Sequence, residues 1–124
     1  MADVTVKGLD EFEGKGMRKV RAGLGVTSFG MQVIELPPNF SKYHRHTESE
    51  QEEVYTALTG SATLRVGGEE HHLEPGTFAR VGPGEERDVV TGDDAVRLLV
   101  LGGISGKPYE APDFSQESTP SSAE

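Results

Sequence analysis

His44 and His46 flank a single arginine, and Glu53 opens the next apolar run, Val54-Tyr55-Thr56-Ala57-Leu58-Thr59, which ends at Gly60. On an extended chain, residues two apart point to the same face, so His44 and His46 present their imidazoles side by side. A carboxylate on the following strand adds an oxygen donor. Two imidazoles and a carboxylate can occupy one face of a divalent metal and leave positions open for a ligand. No other part of the chain carries comparable chemistry. His71 and His72 are adjacent, so on a strand they point to opposite faces and cannot readily share one ion. One is expected to line the interior and the other to face out. Thr27-Ser28-Phe29-Gly30 forms no nucleophile elbow. Gly23-Leu24-Gly25 lacks the third glycine of a dinucleotide-binding loop.

The elements that must carry these residues are short and β-like. The chain has 16 Gly and 7 Pro, spaced as punctuation between apolar runs. Such spacing suits many strands and tight turns, hence a sandwich or barrel. Leu9 to Glu13 reads as a helical turn anchored by Phe12. Met17–Ala22 and Val26–Leu36 read as strands, the second broken by Pro37-Pro38-Asn39. Lys42 to His46 is a short extended piece, and Thr47 to Gln51 a polar, acidic loop. Strands follow at Glu53–Thr59 and Ala62–Val66. Gly67-Gly68 is a two-residue hairpin signal leading into His71-His72-Leu73. Pro75-Gly76 suits a type II turn. Thr77–Val81 reads as a strand, and Gly82-Pro83-Gly84 as another sharp turn. Arg87–Thr91 and Ala95–Leu101 follow, divided by Gly92-Asp93-Asp94. No sustained helical periodicity intervenes. Leu98-Leu99-Val100-Leu101 is apolar at every position, so both faces of that strand should be covered. Apolar residues also fall on both faces of the Glu53 strand, which predicts a second layer or a homodimer formed by sheet packing.

Composition bounds what the chain can do. Its 124 residues suffice for one domain with a modest core. Lys and Arg number 12 against 21 Asp and Glu, for a net charge of −9, which does not suit a phosphate backbone. Nucleic-acid binding is therefore not expected. The absence of Cys excludes disulfides and thiol catalysis. The N-terminus lacks an apolar signal core, and no apolar run approaches membrane-spanning length, so a soluble cytoplasmic protein is the expectation. From about residue 105 the sequence turns polar and Pro/Ser-rich. Residues 1–104 are expected to form the domain and 105–124 a partly disordered tail, with Tyr109 and Phe114 pinning its first half.

Residues from about Phe29 to Leu101 resemble a single-domain cupin. The first cupin motif runs Gly, five residues, His-x-His, three or four residues, Glu, six residues, Gly. Here His44-x-His46 is present and Glu53 stands seven positions before Gly60, but the first Gly is missing and six residues separate His46 from Glu53. Counting from His46 alone would choose Glu50. Glu53 is preferred because it opens a β-branched and aromatic strand that fixes its direction, whereas Glu50 sits in a flexible loop. The second motif runs Gly, five residues, Pro-x-Gly, two residues, His, three residues, Asn. Gly76 and the turn Gly82-Pro83-Gly84 match in outline, but Arg87 stands where the His would fall and Thr91 where Asn would.

The resemblance implies an all-β fold: a double-stranded β-helix, or jelly-roll-like barrel of two antiparallel sheets, with a short N-terminal helical turn at most. It implies a metal site of His44, His46 and Glu53 without the usual fourth ligand. One divalent ion is implied, with Fe, Mn, Ni and Zn not distinguishable. Tyr55 and Arg87 are the nearest candidates for ligand binding. For Arg87 three readings stand: outward and structural; inward and binding an anionic substrate; or paired with Glu53 in place of a metal. A guanidinium cannot ligate a cation and repels one nearby. The expected function is binding of a metal and a small molecule in the barrel, with oxygenase- or isomerase-type chemistry. The alternative is a non-catalytic small-ligand module, metal-free or with a loosely held metal.

Overall fold

A computed structural model describes residues 2–43 and 45–116. His44 and the end of the tail, 117–124, lie outside the described residues. The described residues form nine strands of a barrel: β1 (Met17–Arg18), β2 (Gly30–Leu36), β3 (His46–Thr47), β4 (Glu52–Thr59), β5 (Ala62–Val66), β6 (Glu69–Leu73), β7 (Phe78–Val81), β8 (Glu86–Thr91) and β9 (Val96–Gly103). They form a five-stranded sheet in the order β1-β2-β9-β4-β7 and a four-stranded sheet in the order β3-β8-β5-β6. All pairings are antiparallel. The fold is all-β, as expected. Among the described residues, no helix is long and apolar enough to cross a membrane.

Glycine-bearing turns set the strand lengths. Gly67 and Gly68 both have positive φ, as a two-residue turn between right-twisted strands requires. Thr77 N–H donates to Glu74 O at 2.9 Å across Pro75-Gly76, with Gly76 at φ 93°, which gives the anticipated type II geometry.

The two sheets face each other across a core of Leu36, Tyr55, Ala57, Leu64, Leu73, Val89, Val96 and Leu98, with Ile34 and Tyr43 packed against it. A second cluster lies on the outer face of β2 and β9, where Val33, Met31 and Leu99 meet Phe12, Val20 and Leu24. Leu98 and Leu99 therefore enter different cores, and both faces of β9 are covered as its unbroken apolar run implies. Glu53, Tyr55 and Ala57 of β4 all turn inward and are buried.

The N-terminal region departs from the expectation. Met17–Ala22 is not one strand: β1 ends at Arg18, and α1 (Val20–Leu24) follows. The fold thus has more helix than the single turn anticipated, which itself occurs at Leu9–Glu11. Val20 and Leu24 are four residues apart, so a helix puts both on one side, against Phe12 and Val33. Gly25, at φ 82°, ends α1 with its N–H donating to Arg21 O and Ala22 O. Burial of the helical face, Val20 with Leu24, decides the local structure here over any strand preference of the β-branched Val20. β2 begins only at Gly30, four residues later than the sequence suggests.

Candidate functional site

The site lies at one mouth of the barrel, where β3, β4 and β8 come together. β3 pairs with β8 in a register that sets His46 opposite Arg87. β4 enters from the other sheet and brings Glu53 inward. The Arg87 side chain is fully buried, and all three guanidinium nitrogens are engaged. Nη1 donates to Glu53 Oε1 at 2.8 Å, Nη2 to Gly82 O at 2.9 Å and Nε to Glu85 O at 2.9 Å. Of the sequence readings for Arg87, the geometry matches the pairing with Glu53.

Tyr55 also converges on the same carboxylate, donating its hydroxyl to Glu53 Oε1 at 2.6 Å. Tyr43 lies against it on the core side. Burial, then the charge of Glu53, raises the Tyr43 hydroxyl well above the usual phenol value. Burial, then Tyr43 and Glu53, does the same to Tyr55. Both phenols keep their protons near neutral pH, and Tyr55 uses its proton as the donor to Glu53. For Glu53, burial acts to raise the carboxyl, but bonding to His46, Tyr55 and Arg87 outweighs it and holds the group below the usual carboxylate range. Glu53 is thus a charged carboxylate with a built-in counter-charge.

His46 Nε2 stands 3.4 Å from Glu48 Oε2 and 3.8 Å from Glu53 Oε1. Ligand atoms of His46, Glu48 and Glu53 lie within 4.8 Å of one another and could hold an ion. This donor set fits a divalent cation in kind, one imidazole and two carboxylates, although one Glu53 oxygen also receives Arg87 and Tyr55. His44, the other histidine of the pair, lies outside the described residues. Glu50 points away, its Oε1 2.8 Å from Lys107 Nζ at the exposed rim.

Glu48 was not among the candidates from sequence. Its position depends on the Gly84 N–H, which donates to Glu48 O at 2.7 Å and ties the acidic loop to the β7–β8 turn. Such a non-local bond leaves no mark in the local sequence. Asp88 was likewise missed. It is buried on the outer side of β8, receives Arg65 at 2.8 and 2.7 Å, and holds Arg45, between the two histidines, at 3.2 Å. Arg65, then Arg45, holds its carboxyl below the ordinary range.

His71 and His72 take no part. Both are exposed, and they pair with Glu69 and Glu74 respectively. His71 does face the inner side, opposite Leu64. It lines an open cleft with Leu64, Leu73 and Val81, and its side chain stays half exposed because β6 is an edge strand of its sheet.

The mouth opens into a cavity of about 710 Å³ lined by His46, Glu48, Glu53, Gln32, Tyr43 and residues of the C-terminal segment, including Tyr109 and Glu110. Tyr109 is held against the body by the Arg21 guanidinium, 5.7 Å from its ring centroid. Phe114 also lines the cavity but remains 61% exposed.

The cupin domain family model matches residues 32–102. No curated protein matches the chain. Solved structures do. A cupin protein from Bacteroides fragilis aligns with a TM-score of 0.71 at 18% identity, covering 96% of this chain and 98% of that one. A sugar phosphate isomerase of the cupin superfamily from Silicibacter pomeroyi aligns at 0.64 with 26% identity, covering 73% of this chain and 60% of that one. A Cupin 2 conserved barrel domain protein from Salinispora arenicola aligns at 0.54 with 22% identity, covering 62% and 64%. The family match spans more than half of the chain and includes the strands that carry His46, Glu53 and Arg87: this protein belongs to the cupin family.

Proposed function

We propose that this cupin binds a small molecule in the mouth of its barrel, beside one divalent ion held by His46, Glu48 and Glu53, with His44 supplying a further imidazole from the adjoining sequence. One observation carries this reading: three potential ligands within 4.8 Å of one another open onto a cavity of about 710 Å³. A bound ion would supply Lewis-acid polarisation of an oxygen on the ligand. Glu53 orients the site. Tyr55 and Arg87 act through Glu53, because their polar atoms are committed to it and to the β7–β8 turn. The likeness to a sugar phosphate isomerase supports isomerase-type chemistry. A phosphorylated substrate, however, would meet no Lys or Arg among the described residues lining this cavity.

Calorimetric titration of tag-free protein with Mn²⁺ and Zn²⁺ tests the proposal. Binding should occur in the wild type and weaken strongly in His46→Ala and Glu48→Gln. No heat from either ion at millimolar concentration would overturn it.

A second reading is favoured by the Arg87–Glu53 pair itself: a metal-free module in which the guanidinium supplies the positive charge. Under it, small organic ligands would stabilise the protein in thermal shift while metals and chelators would not.

We also propose a homodimer formed through the outer face of the five-stranded sheet. Support comes from Phe78, 70% exposed on edge strand β7, and from Leu58, 45% exposed on β4.

A further inference from the structure

Arg87 stands where the family pattern places the last histidine ligand, directly opposite His46 in the β3–β8 register. It is buried, and its Nη1 is 2.8 Å from Glu53 Oε1. A buried carboxylate needs a cation or a proton beside it. In a metal-loaded barrel the ion provides that charge. Here the guanidinium provides it, and the same side chain grips Gly82 O and Glu85 O. The turn it grips holds Glu48 through the Gly84 N–H. One cation thus fixes both carboxylates of the mouth.

The charges near His46 reinforce the point. With neutral histidine, Glu48, Glu53 and Arg87 sum to one negative charge. Without Arg87 they would sum to two. A guanidinium in contact with a ligand oxygen repels a divalent ion placed on that oxygen.

We propose that Arg87 is a built-in counter-ion that sets the metal demand of this site. It lets the barrel hold its mouth in shape without an ion, and it makes any divalent ion a weaker, optional occupant. The proposal rests on the reading that His46, Glu48 and Glu53 take an ion. Arg87 is a positioning residue in this scheme: it neither ligates the metal nor meets the small molecule.

The test is thermal unfolding in EDTA and in Mn²⁺, with Mn²⁺ titration, for the wild type, Arg87→Met and the double variant Arg87→Met/Glu53→Gln. The wild type should melt at the same temperature with and without EDTA. Arg87→Met should melt lower in EDTA, recover a large part of the loss in Mn²⁺, and bind Mn²⁺ at least roughly tenfold more tightly than the wild type. The double variant carries neither buried charge and should be insensitive to Mn²⁺. A merely structural role for Arg87 predicts a lower melting temperature that Mn²⁺ does not restore, and that result overturns the proposal. Equal Mn²⁺ affinity in the wild type and Arg87→Met would overturn it while leaving the ion site standing. Absence of binding in both would overturn the ion site as well. If Arg87→Met does not fold even with Mn²⁺, the ion has failed to replace the guanidinium and the proposal falls. The wild type gives an independent check: a fall in its melting temperature on adding EDTA also overturns it.

Discussion

Arg87 Nη1 and Glu53 Oε1 meet at 2.8 Å across the two sheets of the barrel, and neither side chain has more than marginal access to solvent. The pair joins β8 to β4 at the mouth, so it couples the position of the candidate carboxylate ligand to the packing of the sheets. Removing one partner strands a buried charge, whereas removing both does not.

A double-mutant cycle should therefore be strongly non-additive. Arg87→Met and Glu53→Gln are each expected to cost about 3–5 kcal/mol, and the double variant clearly less than their sum. Urea unfolding of the four proteins measures this. Additive losses would mean that the contact contributes nothing as a pair.

Stability should fall on the acid side. Glu53 and Asp88 both have folded-state carboxyl values below the usual range. Their contribution is present above the unfolded value near 4 and is lost as pH falls through the folded values. Melting temperature should decline steeply below about pH 4, and less steeply in Glu53→Gln and Asp88→Asn. Parallel pH profiles for the variants and the wild type would contradict the assignment.

Gly60 should be intolerant of a side chain. It has φ 74°, and a Cβ there would run into the Ala95 carbonyl. Gly60→Ala is expected to cost at least about 1–3 kcal/mol from left-handed strain, with the backbone clash added. Chemical denaturation reads the loss. A change below the error of that measurement would mean that the β4–β5 turn can move aside.

Gly30→Ala should act on the C-terminal segment and spare the barrel. A Cβ at Gly30 would lie 2.7 Å from the Tyr109 hydroxyl, the far end of a side chain that can swing away. Barrel stability should change by less than about 1 kcal/mol, while amide exchange across residues 107–116 quickens. Unchanged exchange there would show that Tyr109 does not hold the segment. The Lys107–Glu50 pair is exposed on both sides and should do little to compensate.

For the proposed homodimer, light scattering at micromolar concentration should give twice the chain mass for the wild type, and the chain mass for Phe78→Glu. A wild-type monomer would rule the dimer out.

Much of the barrel was legible in the sequence because its signals are local. Gly67-Gly68 and Pro75-Gly76 name their turns through backbone conformation alone. Strand alternation placed Glu53 on the side of Tyr55 and Ala57, and the unbroken run at Leu98 to Leu101 announced a strand covered on both faces. Local preference misled at Val20, where packing of Val20 and Leu24 on the outer cluster favours a helix. His46 and Glu53 could be named as candidates from residue type and spacing. Glu48 could not, since a backbone bond from Gly84, 36 positions along, decides where it stands. The direction of Arg87 was equally beyond local reading. Either face of a short strand can accept an arginine, and only the approach of β4 from the opposite sheet, with a buried carboxylate in need of a cation, turned this one inward.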